Sequence, residues 1–158
     1  MPSDAVLQEL LHKQEIAEVV GARYARALDW LDIDQLKTCF HEDGWVDYGF
    51  YEGNAHGWCD AVMPIEASSI HRFHYVFNIR VEINEESADA ESNSLAGGRR
   101  VEDDGSLTQS FFGSRYMDKL ERRDGAWKIS ERQTLLEFAQ FAPAGGAPGD
   151  GLEGLRLV

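Results

Sequence analysis

The stretch His71-Arg72-Phe73-His74-Tyr75-Val76-Phe77-Asn78-Ile79-Arg80-Val81-Glu82-Ile83 sets the hydrophobic period of the second half of the chain. Phe73, Tyr75, Phe77, Ile79, Val81 and Ile83 recur at every second position until the acidic turn Asn84-Glu85-Glu86. Side chains that repeat every two residues share one face of a β-strand. Residues 88–99 form a second candidate strand, rich in small residues and closed by Glu102-Asp103-Asp104-Gly105. Strands at 107–121 and 126–140 follow, joined by Arg123-Asp124-Gly125. An Asp-Gly pair tolerates the positive φ angles of a tight hairpin, so this is the strongest hairpin signal in the chain.

Upstream the period is different. Val6, Leu7, Leu10, Leu11, Ile16, Val19, Val20 and Ala27 recur at three- and four-residue steps, which predicts one long amphipathic helix over 4–29 with Ser3 or Asp4 as its N-cap. Asp32 or Asp34 caps a shorter helix carrying Leu36 and Phe40. His41-Glu42-Asp43 reads as a loop, and Trp45, Val46, Tyr48, Phe50 and Tyr51 read as an aromatic-rich strand ending before Gly53. Residues 58–69 read as a third helical piece, interrupted by Pro64. Helices first and strands afterwards predict an α+β fold, with the N-terminal helices packed in the concavity of a strongly curved antiparallel sheet. Residues 1–142 then make a single domain, and 143–158 read as a Gly-rich tail whose Leu-Arg-Leu-Val end is suited to a pocket mouth or a neighbouring subunit.

Composition narrows the function classes. The 158 residues suit one domain, and 43% hydrophobic side chains supply a core. Fifteen basic against 28 acidic residues give a net charge of −13, which repels nucleic-acid backbones and anionic lipid surfaces. The two cysteines, Cys39 and Cys59, are too few for a disulfide framework or zinc ribbon and read as buried thiols of a reducing cytosol. The first twenty residues lack a basic leader followed by an unbroken apolar run, which gives a cytoplasmic expectation. His41-Glu42-Asp43 and His71-x-x-His74 lack the carboxylate spacing of a metal site, and no phosphate-binding glycine loop occurs, so no metal and no cofactor are expected.

A curved sheet closed by helices leaves an open end suited to a small molecule. Near it the sequence offers Tyr24 and Asp29 at the end of the first helix, and His74 on the long strand. A carboxylate beside an imidazole fixes its tautomer and stabilises the imidazolium formed on proton abstraction, so Asp29 with His74 makes an oriented general base. Each has a plainer reading. Tyr24 also reads as a core tyrosine, Asp29 as a helix-end residue, and His74 as a packed histidine. Asn78, four positions beyond His74, is expected on the same side of the strand. Arg132 reads either as a site residue or as half of an ion pair with Asp118 or Glu137. Trp30, Trp45, Tyr48 and Phe50 are expected among the apolar walls that hold a substrate.

Taken in order, Tyr24-x4-Asp29, Trp45-Val46-Asp47-Tyr48-Gly49, His74-x3-Asn78 and Tyr116-x-Asp118 leading to Arg122-Arg123-Asp124-Gly125-x-Trp127-Lys128-Ile129-x-x-Arg132 resemble the SnoaL-like group of the nuclear-transport-factor-like, cystatin-type cone superfamily. Within it the chain is similar, over roughly residues 5–140, to the scytalone dehydratases, bile-acid 7α-dehydratases and hexachlorocyclohexane dehydrochlorinases. The resemblance implies a cofactor-free lyase acting on a cyclic, mostly apolar small molecule. His74 would be its base and Asp29 the orienting partner. Tyr24 would donate a hydrogen bond to a substrate oxygen, and Arg132 would aid electrostatically. The dehydrochlorinases carry a first-helix lysine with no counterpart beside Tyr24 and Arg26, which favours loss of water over loss of halide. No histidine follows His74, where scytalone dehydratases use a second one. Two other functions fit the same family: a ketosteroid-isomerase-like proton shuttle, and a non-catalytic small subunit like that of ring-hydroxylating oxygenases. A homo-oligomer, dimer or trimer, is expected in each case.

Overall fold

The computed structural model describes residues 1–144, and the Gly-rich tail from residue 145 onward lies outside the described residues. The first helix spans the predicted range but is not uniform. Strand-like Ser3 caps α1 (Asp4–Ala17), its side chain accepting from the Val6 N–H; a π-helical turn (Glu18–Arg23) and α2 (Tyr24–Asp29) continue it. Gly21 sits inside the π turn against β3, where a Cβ would come within 2.8 Å of Ile79 Cδ1, so any larger residue there makes the tip of Ile79 shift. The short helix α3 (Ile33–Thr38) starts where Asp32 accepts from the Gln35 N–H at 2.9 Å.

Several boundaries differ from the sequence expectation, Phe40 among them, which lies in a strand and not on the second helix. Strand β1 (Phe40–Asp47) begins at Phe40 and takes in His41-Glu42-Asp43, because buried His41 packs inward and its Nε2 lies 3.0 Å from the Glu121 carbonyl oxygen. The expected aromatic strand stops at Asp47 and turns on Gly49 (φ +76°), and the chain returns as β2 (Glu52–Asn54). The third helix, α4 (Ala55–Ala67), is capped by Asn54 accepting from the Gly57 N–H and runs through Pro64 unbroken. A single proline removes one backbone bond, which thirteen residues of helix tolerate.

Strands β3 (His71–Asn84), β4 (Ser87–Val101), β5 (Leu107–Arg123) and β6 (Ala126–Pro143) form an antiparallel meander. Together with β1 and β2 they make a curved six-stranded sheet of order β2-β1-β6-β5-β4-β3. The β1–β6 pair is parallel, so the sheet is mixed, and the helices pack in its concavity as an α+β cone. Asp124 and Gly125 both take positive φ, as a two-residue hairpin demands.

The alternation of β3 is interrupted once. Register shifts between Phe77 and Arg80, and Asn78 sits in the left-handed region at φ +54°. A bulge of this kind inverts the facing of everything beyond it. Arg72, His74 and Val76 therefore turn inward before it, and Ile79, Val81 and Ile83 after it. Phe73, Tyr75 and Phe77 lie on the opposite face from Ile79, contrary to the unbroken period read from the sequence. The core between helices and concave face is one cluster, built around Ile16, Leu28, Phe40, Trp58, Trp127 and Ile129.

Candidate active site

Three chain segments converge at the wide end of the cone. Inward-facing β3 presents Arg72 and His74, α2 ends at Asp29, and the last turn of α4 brings Glu66. His74 Nδ1 lies 2.8 Å from Asp29 Oδ1, and the His74 backbone N–H donates to Asp29 Oδ2 at 3.3 Å. A carboxylate only accepts, so Nδ1 carries the hydrogen and the neutral ring keeps its lone pair on Nε2. On that side stands Glu66, with Oε1 3.7 Å from Nε2. Burial raises the Glu66 carboxyl above the usual carboxylate range, against the pull of the cations nearby.

The segments are held together by one side chain. The Arg72 guanidinium donates to the carbonyl oxygens of Glu66 (2.9 Å), Asp29 (3.2 Å) and Ser69 (2.6 Å). Asp29 closes α2, and Glu66 and Ser69 lie in and just past the last turn of α4, where a helix C-terminus favours a cation. Arg72 thus fixes the positions of both carboxylate-bearing helix ends relative to His74.

His74 and Glu66 form part of the wall of a cavity of about 380 Å³ whose other surfaces are mainly apolar and aromatic, among them Leu28, Phe50, Trp58, Phe112 and Leu136. Tyr48 stacks on Trp58 at 4.3 Å between centroids, and the Tyr24 and Tyr48 hydroxyls lie 2.9 Å apart in the same wall. Burial, with the neighbouring phenols Tyr116 and Tyr48, holds the Tyr24 hydroxyl well above its ordinary pKa; burial does the same for Tyr48. Both therefore keep their protons at neutral pH. Only one proton is used between them, so the pair retains one O–H for a bound oxygen. A second, more polar cavity of about 240 Å³ shares His74, Glu66 and Phe112 and continues past Arg100, Thr108 and Ser110.

Arg132 is wholly buried, gripped by Asp118 through Nε–Oδ1 (2.6 Å) and Nη2–Oδ2 (2.7 Å). Its guanidinium lies over the rings of Tyr24 (4.4 Å) and Tyr116 (4.2 Å). Of the alternatives left open by the sequence, the ion pair with Asp118 is the one formed; Glu137 pairs with Arg115. Arg132 lies beneath the cavity and outside its lining.

The structure thus brings Tyr24, Tyr48, Phe50 and His74 into one lining, with Asp29 directly behind His74. Trp30, Trp45 and Asn78 lie apart from it. Trp30 is exposed beyond α2 beneath Arg26, Trp45 alternates away from buried Val46, and Asn78 is exposed on the bulge. Glu66 and Arg72 were missed. Glu66 sits in a helix read as broken at Pro64, and Arg72 reads as an ordinary strand cation; neither carries a motif.

Among the described residues no three His, Cys, Asp or Glu side chains form a group that could hold a metal ion, and no helix is long and apolar enough to cross a membrane. Cys39 and Cys59 are free and buried, and burial pushes both thiols up to about 12.

Solved structures share this architecture. Hexachlorocyclohexane dehydrochlorinase LinA-type3 from Novosphingobium barchaimii superposes with a TM-score of 0.74 at 19% identity, over 89% of this chain and 95% of that one. A candidate scytalone dehydratase from Novosphingobium aromaticivorans gives 0.74 at 20%, over 90% and 95%. A protein of the same organism with a cystatin-like fold gives 0.66 at 22%, over 84% and 86%. No curated protein matches the sequence. The SnoaL-like domain matches residues 8–133, nearly the whole of the described cone, and the chain belongs to the SnoaL-like family.

Proposed function

We propose that this protein is a cofactor-free lyase of the dehydratase type, acting on a cyclic, mostly apolar small molecule, with His74 as general base. The observation that carries the reading is the 2.8 Å contact between His74 Nδ1 and Asp29, which leaves Nε2 as a free base at the wall of an aromatic cavity. His74 Nε2 takes a proton from a carbon acidified by a neighbouring carbonyl, and the Asp29 carboxylate stabilises the imidazolium. Positioned general bases contribute about 10²–10⁴ in rate. The remaining O–H of the Tyr24–Tyr48 pair donates to the oxygen on which charge develops. Tyr48 and Phe50 hold the ring, while Arg132 positions Tyr24 through its face. The family and its structural neighbours named as a dehydrochlorinase and a candidate dehydratase support elimination as the reaction class. The free thiols suit a reducing cytoplasm.

The test is incubation of the purified protein with a panel of cyclic β-hydroxy ketones, followed by mass analysis. A product lighter by one water supports the reading. A product of unchanged mass with a displaced double bond identifies an isomerase instead, and saturable binding without product identifies a binding module.

We also infer self-association through the outer face of the sheet. Phe73, Tyr75 and Phe77 of β3 lie on that face together with Leu95, Phe111 and Phe138, and Tyr75, Phe77 and Phe138 are exposed. A contiguous apolar patch of this kind is typical of an interface. Light scattering is expected to give a dimer or trimer; a monomer at micromolar concentration contradicts it.

A further inference from the structure

The elimination reading provides a base but leaves the departing oxygen without a proton. Hydroxide is a poor leaving group, so loss of water calls for a proton donor beside the β-carbon, whereas halide leaves unaided. His74 Nε2 faces one candidate for this task. Glu66 Oε1 is 3.7 Å away, its side chain only 18% exposed, on the wall where the apolar and polar cavities meet. Among the described residues the Glu66 carboxyl makes no hydrogen bond, and its one ion-pair contact is the one to His74 Nε2.

We propose that Glu66 is the general acid of the reaction, protonating the leaving hydroxyl while His74 removes the proton, and that the substrate therefore loses water by syn elimination. This rests on the elimination reading given above. The proton balance closes within the pair. The C–H bond breaks, its proton goes to His74 Nε2 and its electrons form the C=C bond. The C–O bond breaks, and the oxygen leaves with that electron pair and with the carboxyl proton of Glu66, as water. The imidazolium then returns its Nε2 proton to the Glu66 carboxylate, and both groups are reset. No oxidant or cofactor enters. Because acid and base stand 3.7 Å apart on one wall, both act on the same face of the ring.

The groups facing Glu66 agree with this assignment. His74 and Arg72 from β3 and Arg100 from β4 favour its ionised form, Asp29 at the end of α2 disfavours it, and burial outweighs the cations, so the carboxyl holds its proton further toward neutral pH than a free glutamate. Its place in the last turn of α4 acts in the same direction, since a helix C-terminus repels negative charge.

The experiment compares wild type, Glu66→Gln and His74→Gln on two probes, 3-hydroxycyclohexanone and 3-acetoxycyclohexanone, whose acetate departs without a proton. Glutamine matches the shape of glutamate but cannot transfer a proton. Glu66→Gln is expected to lower kcat on the hydroxy ketone by about 100-fold or more with KM little changed, and to slow the acetoxy ketone by less than about tenfold. Equal losses on both probes, or none on the hydroxy ketone, overturn the role of Glu66 while leaving His74 as base. Absence of wild-type turnover on either probe overturns the elimination reading itself. A product that retains the syn deuterium of a stereospecifically labelled hydroxy ketone overturns the shared face.

Discussion

The imidazole of His74 and the carboxylate of Asp29 stand 2.8 Å apart across 45 residues of sequence, tied a second time through the His74 backbone N–H. Two contacts to one carboxylate fix both the ring's tautomer and its direction. Asp29→Asn removes the charge that stabilises the imidazolium and lets an amide N–H face Nδ1. Its kcat is expected to fall about 10²–10⁴-fold with the fold intact by circular dichroism. A variant within a few-fold of wild type contradicts a catalytic pairing.

The phenol pair predicts non-additive losses. Tyr24→Phe and Tyr48→Phe each leave one hydroxyl in the cavity wall, free to donate to a substrate oxygen. Each single variant is expected to keep most of the stabilisation, and the double variant to lose about 10²–10³ in kcat, the scale of an oxyanion donor. Additive effects in the steady-state cycle contradict sharing.

Arg132 and Asp118 are both buried, and each bond of their pair is charge-assisted. Asp118→Asn leaves a buried guanidinium without its counter-charge and is expected to cost about 3–5 kcal/mol in urea unfolding. Loss of only a few tenths contradicts the structural role.

Glu66 gives a pH signature that needs no substrate. Its folded pKa is raised, so the stability it confers is complete below the unfolded glutamate value and is lost as pH rises through the folded one. Glutamine does not titrate. The Tm of Glu66→Gln minus that of wild type is expected to increase from acid toward neutral pH; a flat or falling difference contradicts a Glu66 carboxyl raised by burial.

Asn78 tests the bulge. At φ +54° glycine is tolerated and a β-branched residue is not, so Asn78→Gly is expected to stay within about 1 kcal/mol and Asn78→Val to lose about 1–2 kcal/mol or more. Activity of Asn78→Gly is expected to remain at wild-type level, since the side chain is remote from the cavity.

These residues also mark where the sequence was legible. Asp124-Gly125 revealed a hairpin because its chemistry is local, and the helical period over 4–29 holds although its stripe meets the core only from Ile16 onward, with Val6, Leu7, Leu10 and Leu11 exposed. Asn78 misled because a bulge inserts a residue without changing composition, and the facing of Phe73 to Phe77 inverted with it. The π turn at Glu18–Arg23 was equally silent, although it rotates Tyr24 and Asp29 relative to α1. The Asp29–His74 pair was readable as a family pattern. Glu66 and Arg72 were not, because what recruits them is the meeting of helix ends with β3, a tertiary event with no spacing of its own.

The most direct measurement compares kcat/KM of wild type and His74→Gln for elimination from an α-deuterated cyclic β-hydroxy ketone, with deuterium loss and product mass followed together. The expected result is a product lighter by one water, deuterium lost from carbon, and a decrease of at least about 100-fold in His74→Gln. Wild-type rates in His74→Gln, or turnover that keeps the water, contradict proton abstraction by His74 in a dehydration.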